Sequence, residues 1–388
     1  MNKRSFVTGV VAAALGIGAF PALAQDTVKI GLILPMTGPF ASTGRQIDAA
    51  VKVYMAKHGS TVAGKKIEII LKDDAGTADT TRRLAQELVV NDKVAIIAGF
   101  GLTPLAFATA PIATQAKVPM IVMAAATSSV TEQSPFIVRS GFTLPQITLP
   151  IAEWAAKNNI RKAVTLVTDY GPGIDAETQF KKTFTANGGT VAAELRVPLK
   201  NPDFAPFLQR VRDASPDAVF VFVPSGVGSI FMKQFAERGL DKSGIKLIGT
   251  GDVTDDDILN DMGDVALGVI NSMHYSAAHD SALNREYVAA MRKTANLRAN
   301  FHSVGGYDGM HVIYKALEAT KGDTNGEALV NAMKGLSWES PRGPMSIDRE
   351  TRDVTQNVYV RRVEKRDGQL WNIEFQTVPA VKDPGKQK

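Results

Sequence analysis

Four short segments carry residue types suited to one kind of chemistry, the holding of a small anion. They are Gly99-Phe100-Gly101-Leu102-Thr103-Pro104, Ala124-Ala125-Ala126-Thr127-Ser128-Ser129, Asp169-Tyr170-Gly171-Pro172-Gly173 and Pro224-Ser225-Gly226-Val227-Gly228. Small residues let a ligand approach the backbone. Free N–H groups at a helix start, where the dipole is positive, favour a negative charge. Thr103, Thr127 and Ser128 add hydroxyl donors suited to a carboxylate. At any one segment, Ser, Thr and Gly serve equally well as helix caps. Agreement among four segments favours one shared cleft.

Other chemistries lack their residues. There is no cysteine, which excludes disulfides, thiolate metal sites, thiol nucleophiles and a lipid-modified N-terminal cysteine. The five histidines (His58, His274, His279, His302, His311) include no HExxH pair, and none falls in the four segments. Gly99-x-Gly101 lacks the third glycine of a dinucleotide fingerprint, and there is neither a Walker A motif nor a Gly-x-Ser-x-Gly elbow. Asp73-Asp74 ends an expected strand and Asp255-Asp256-Asp257 opens an expected helix; both read as solvated or capping carboxylates. Tyr307-Asp308 reads as packing. No metal or cofactor is expected.

The elements that must position these segments alternate. Short apolar runs at Val28–Leu34, Ile67–Leu71, Val94–Ala98 and Pro119–Met123 read as strands, separated by helical stretches near 44–58, 77–91 and 104–116. Ile47, Ala50, Val51 and Tyr54 fall at i, i+3, i+4, i+7. The theme repeats with strands at Ala163–Thr168, Thr190–Val197, Ala218–Val223, Ile245–Gly249 and Ala266–Ser272. Helices are expected near 145–158, 174–187, 203–213, 228–239, 282–294, 303–319 and 327–334. The end differs: Thr355–Val363 and Gln369–Phe375 alternate around Arg366-Asp367-Gly368, a hairpin signal. Alternation of this kind predicts parallel sheets with right-handed crossovers, and two such sets predict two α/β lobes. In open parallel sheets, ligands sit beyond the carboxyl ends of the strands, where the four segments fall.

Of the 388 residues, 45% are hydrophobic and 21% charged, enough for packed cores. Lys3 and Arg4, the apolar run Val7–Phe20 and Ala22-Leu23-Ala24 have the form of a secretory signal peptide over residues 1–24, cut before Gln25. The run is short of the roughly 20 residues of a spanning helix. Without Lys3 and Arg4 the chain carries 42 basic against 39 acidic residues, a net +3. No basic stripe with interleaved aromatics points to nucleic acid. An exported, periplasmic protein is expected.

The opening Lys29-Ile30-Gly31-Leu32-Ile33-Leu34-Pro35-Met36-Thr37-Gly38-Pro39 with Gly44 resembles the start of leucine/branched-chain amino acid-binding proteins of ABC importers. So do Asp73-Asp74, Ala125-Ala126-Thr127-Ser128, Arg139, Asp169-Tyr170-Gly171 with Gly173, and Phe235-Ala236-Glu237-Arg238-Gly239-Leu240. The resemblance spans nearly the whole mature chain. It implies a type I periplasmic binding protein: two Rossmann-like lobes joined by three crossovers, closing on a small ligand and docking on a membrane permease. The expected division is 25–141 plus 275–350 for lobe 1 and 142–274 plus 351–388 for lobe 2, in a monomer.

Carried over by resemblance, the carboxylate-binding loop falls at Gly101-Leu102-Thr103 and its second contact at Ala125 and Thr127. The aromatic lid falls at Tyr170, and the acidic group for an ammonium at or beside Asp252. The sequence departs from the amino-acid pattern in three places. Thr43 replaces an aromatic, Pro224-Ser225 replaces a tyrosine, and Asp252 is offset by one residue and shorter than the usual glutamate. The first two changes enlarge the cleft, and the third weakens the ammonium anchor. An aromatic monocarboxylate such as a hydroxybenzoate or phenylpropanoid acid is therefore expected, with a branched-chain or other amino acid as the alternative. Phe100, Phe142 and Tyr170 are the candidates for stacking on a ring. The full expected set adds Ala126, Ser225 and Gly226 to the residues named. Two other classes compete: a periplasmic α/β hydrolase, which needs a histidine in a cleft loop, and a sensory domain, which needs a membrane or output segment.

Overall fold

The structure is a computed structural model and describes residues 26–386; the expected signal peptide and its cut after Ala24 lie outside the described residues. The first half builds β1 (Thr27–Leu34), α1 (Ala41–His58), β2 (Thr61–Val62), β3 (Lys65–Asp73), α2 (Ala78–Val90), β4 (Ile96–Gly99), α3 (Thr103–Ala116), β5 (Met120–Val122) and β6 (Ile137–Arg139). These strands form one sheet in the order β2-β3-β1-β4-β5-β6, parallel except for β2. Its central strands β4 and β5 are apolar and buried along their length because helices cover both faces, whereas β3 carries exposed charges.

The chain then crosses into a second lobe with α4 (Leu144–Lys157), β7 (Lys162–Thr168), α5 (Gly171–Ala186), β8 (Thr190–Val197), α6 (Ala205–Ala214), β9 (Ala218–Phe222), α7 (Gly228–Glu237), β10 (Lys246–Thr250) and β11 (Ile270–Met273). It returns to the first lobe with α8 (Ala282–Ala295), α9 (Phe301–Ala319) and α10 (Gly326–Met333). A third crossing leads to β12 (Ser337–Ser340), β13 (Gly343–Ile347), β14 (Val354–Arg366) and β15 (Gln369–Val381). The second sheet runs β12-β13-β14-β11-β10-β9-β7-β8 with β15 on β14, and its last four strands pair antiparallel. This is the expected pair of Rossmann-like lobes joined by three crossovers. The hairpin turns on Asp367 and Gly368, both at positive φ, the geometry of a type I′ turn.

Three details differ from the sequence reading. β12 and β13, placed by it in lobe 1, pair into the second sheet, while Trp338, Ser340 and Arg342 donate to Asp308 on α9 and so tie that sheet to the first lobe. Gly171-Pro172-Gly173 is the first turn of α5 and not a loop before it, since proline fits an initial helical turn. Asp255 and Asp256 are buried rather than solvated, and the following turn is a short 3-10 helix from Leu259.

Candidate functional site

The carboxyl ends of six parallel strands and the starts of α1 and α9 meet between the lobes. They line one narrow cleft. Ten of the expected residues lie on its wall: Thr43, Gly101, Leu102, Thr103, Ala125, Ala126, Phe142, Tyr170, Ser225 and Asp252. Three do not. Phe100 is fully buried in the first lobe's core, held by backbone bonds from its N–H to Ile33 and from Ala125 N–H to its carbonyl, so its ring cannot stack on a ligand. Gly226 sits at positive φ where a side chain would press on the Pro39 carbonyl of the opposite lobe. Thr127 stands behind Thr103, whose hydroxyl donates to the Thr127 hydroxyl at 3.0 Å.

The helix starts around the cleft divide into two kinds. α1, α3, α5 and α7 begin at Phe40, Leu102, Tyr170 and Val227, none of which caps its helix through a side chain. Thr103 lies inside the first turn of α3, so it is not that helix's cap. By contrast, α4 is capped by Thr143 and α9 by Asn300, whose side chain accepts from His302 N–H at 3.1 Å and Ser303 N–H at 3.0 Å. Hence α3 and α5 bring uncapped positive ends to the place where Thr103 and Thr127 lie, while the end of α9 is already satisfied. An anion entering the cleft finds its donors at the first pair.

Arg139 sets the shape of this wall. Its guanidinium is fully buried and donates to the carbonyls of Ala125, Phe142 (3.1 Å) and Thr127 (2.7 Å), and to Asp353 Oδ1 at 2.6 Å. One planar fork thereby holds the 124–127 loop against the segment after β6. The Ala125 N–H is committed to Phe100, so Ala125 offers the ligand space and not a donor.

The lobes are closed on each other. Ser42 donates to Asp257, Gln46 Nε2 donates to its Oδ1 at 3.1 Å, and Asn300 Nδ2 donates to both oxygens of Asp255 at 3.0 Å. Ser128 N–H reaches Asp175 Oδ2 at 2.8 Å. Closure dehydrates the acids it covers. Burial pushes Asp252 up to about 7, against the opposing Thr250 hydrogen bond and the Arg361 charge. Burial, then the Asp257 charge, pushes Asp255 up to about 8. Ser225, expected to face the ligand, donates its hydroxyl to Asp255.

Seven wall residues stand outside the expected set: Ala124, Pro172 and Pro224 lie within the four segments, whereas Phe40, Leu144, Phe222 and His302 lie outside them and were missed. Phe222 ends β9, two residues before the scanned junction, and its ring stacks on Tyr170 at 6.0 Å. Phe40 sits three residues before Thr43 and supplies an aromatic to that part of the wall. His302 lines the cleft from outside the four segments. It enters from α9, which follows a helix and not a strand, so no strand-end signal pointed to it. Its ring lies 4.1 Å from Phe301 and 6.4 Å from Phe142, and burial pushes its pKa down to about 3. No hydroxyl of a described residue bonds to it, so it forms no nucleophile–base pair with them.

A family model described as periplasmic binding protein matches residues 27–369. The chain belongs to the periplasmic binding protein family. A solute binding protein of an ABC transporter from Rhodopseudomonas palustris BisB5, solved in complex with 3,4-dihydroxy benzoic acid, is 65% identical with a TM-score of 0.92, covering 94% of this chain and all of the other. A second from R. palustris, in complex with 4-hydroxybenzoate, is 43% identical with a TM-score of 0.91 over 93% of this chain and 99% of its own. Among sequence relatives, Leu/Ile/Val-binding protein homolog 6 of Brucella melitensis biotype 1 is 46% identical over 93% of this chain and 94% of that protein. This periplasmic binding protein thus has solute receptors of ABC transporters as its relatives, and among the described residues no helix is long and apolar enough to cross a membrane.

Proposed function

We propose that this periplasmic binding protein captures a single-ring hydroxylated benzoate and delivers it to the permease of an ABC importer. The observation that carries the reading is the makeup of the cleft wall: threonine hydroxyls beside uncapped helix starts, and four aromatic rings, Phe40, Phe142, Tyr170 and Phe222. Two charge-assisted hydrogen bonds of about 1.5–3 kcal/mol and one or two ring pairs of about 0.5–1.5 kcal/mol, added to ring burial, are commensurate with the roughly 8 kcal/mol of micromolar binding. The dihydroxybenzoate and hydroxybenzoate complexes of the similar R. palustris proteins support the same ligand class. Thr103, at the uncapped start of α3, would hold the carboxylate with Thr127 behind it, and Tyr170 and Phe222 would lie over the ring.

The branched-chain amino acid reading is favoured by the name of the Brucella relative. It asks Asp252 to stay ionised as an ammonium partner, and burial opposes that by pushing its pKa up to about 7. Calorimetric titration of the mature protein with 4-hydroxybenzoate, 3,4-dihydroxybenzoate and leucine tests the choice. The hydroxybenzoates are expected to bind at least tenfold tighter; tighter leucine binding restores the amino-acid reading. The chain is further read as a monomer cut after Ala24.

A further inference from the structure

We propose that His302 is the specificity-determining residue of the cleft: it accepts a hydrogen bond from a phenolic hydroxyl of the ligand, so the receptor selects hydroxylated benzoates over benzoate itself. This rests on the aromatic-acid reading above.

Three observations lead there. First, His302 lines the cleft at only 6% exposure, and its Nδ1 is buried with no hydrogen-bond partner among the described residues. A buried polar atom without a partner is costly, and a ligand hydroxyl supplies what the chain does not. Second, burial between Phe142 and Phe301 holds the imidazole neutral. A neutral imidazole keeps one acceptor nitrogen, which suits a phenol O–H. Third, the helix starts fix the direction of the acid. Asn300 occupies the first N–H groups of α9, so the end carrying His302 offers no open anion site. The uncapped α3 and α5 lie with Thr103 and Thr127, where the side chain of Gly171 is reduced to hydrogen and Thr127 approaches from the opposite lobe. The carboxylate therefore takes that end, which leaves the ring hydroxyl for the histidine. A site built to bond a hydroxyl rejects the analogue lacking it far more strongly than an apolar pocket does.

The test is calorimetry of benzoate and 4-hydroxybenzoate on the wild type, His302→Phe and His302→Gln. Wild type is expected to prefer 4-hydroxybenzoate by about tenfold or more. His302→Phe should lose most of that preference while its benzoate affinity stays within about threefold, and His302→Gln should restore part of it. Should the variants not fold, nitrogen-15 histidine spectra of the wild type serve instead: one imidazole resonance should shift with 4-hydroxybenzoate and not with benzoate. Equal wild-type binding of both acids, or a preference surviving in His302→Phe, overturns the role of His302 and leaves the aromatic-acid reading intact. Binding of neither acid by the wild type overturns both.

Discussion

Replacing Thr103 by valine removes a hydroxyl and keeps the side chain's shape. In the structure Thr103 is 2% exposed and lines the cleft, and its hydroxyl donates to the Thr127 hydroxyl at 3.0 Å. Its part in holding a carboxylate is a charge-assisted hydrogen bond of about 1.5–3 kcal/mol, which converts to a loss of about 10- to 150-fold in affinity. The cost to the unliganded fold is smaller. Thr103 does not cap α3, so what is lost is its neutral pairing with Thr127, whose hydroxyl accepts from it and whose N–H donates to it at a long 3.4 Å, about 0.5–1.5 kcal/mol, or a few degrees at most in melting temperature. Titration of 4-hydroxybenzoate into Thr103→Val by calorimetry reads the first number, and scanning calorimetry of the free protein reads the second. Thr103→Ser keeps the hydroxyl and should bind within about threefold of wild type. Affinity of Thr103→Val within threefold of wild type would refute the carboxylate role and leave Thr103 a packing residue.

A Cβ on Gly171 would stand 2.5 Å from Thr127 Oγ1 across the lobe interface, in a helix that otherwise tolerates alanine. Gly171→Ala should therefore keep its melting temperature but lose about tenfold or more in affinity and the ligand-induced compaction seen by small-angle scattering; normal compaction would count against the closed contact. Asp252 has a folded pKa raised from 3.8 to about 7, so the folded state binds the proton more tightly and its stabilising effect is lost as pH rises from about 4 to 7. The term is at most about 4 kcal/mol, because opening the lobes rehydrates the carboxyl; scanning calorimetry of Asp252→Asn at pH 5 and 8 should show a flatter dependence than wild type, and an unchanged slope would place the effect elsewhere. N-terminal sequencing of exported protein should begin at Gln25, and a chain retaining Met1 would remove the cleavage reading.

The two-lobe fold was legible in sequence because strand and helix periodicities are local. Continuous apolar runs such as Ala218–Phe222 mark strands buried on both faces, and Asp367-Gly368 supplies the positive φ values a two-residue hairpin needs. The cleft loops were legible for a related reason: a parallel sheet leaves one set of strand ends for ligands, so Gly101–Thr103, Ala125-Ala126, Tyr170 and Ser225 could be found by scanning strand ends. The seven wall residues outside the expected set either lay beyond the scanned segments or, like Ala124, Pro172 and Pro224, carried no polar side chain there.

Closure of one lobe on the other was not legible, because it joins residues far apart in the chain. Asp255-Asp256-Asp257 looks like any acidic helix start until Asn300 and Gln46 arrive from the first lobe and exclude water from it. β12 and β13 follow a helix of lobe 1, yet pair with β14, since an exposed sheet edge offers unpaired N–H and C=O groups that local sequence does not reveal. Phe100, expected at the cleft, lies in the core, and His302, which the four segments do not contain, lines the cleft, for the same reason. At Phe100 the backbone is held at positive φ by bonds to Ile33 and Ala125, with the ring in the core, while the second chain crossing returns the chain to the first lobe and so leads, through α8, to the α9 start at the cleft. Residue type and spacing determined which strands form and which chemistry the cleft suits; the packing of lobe against lobe decided which side chains are dehydrated there, and dehydration is what changes an ordinary histidine or aspartate into a neutral hydrogen-bonding group.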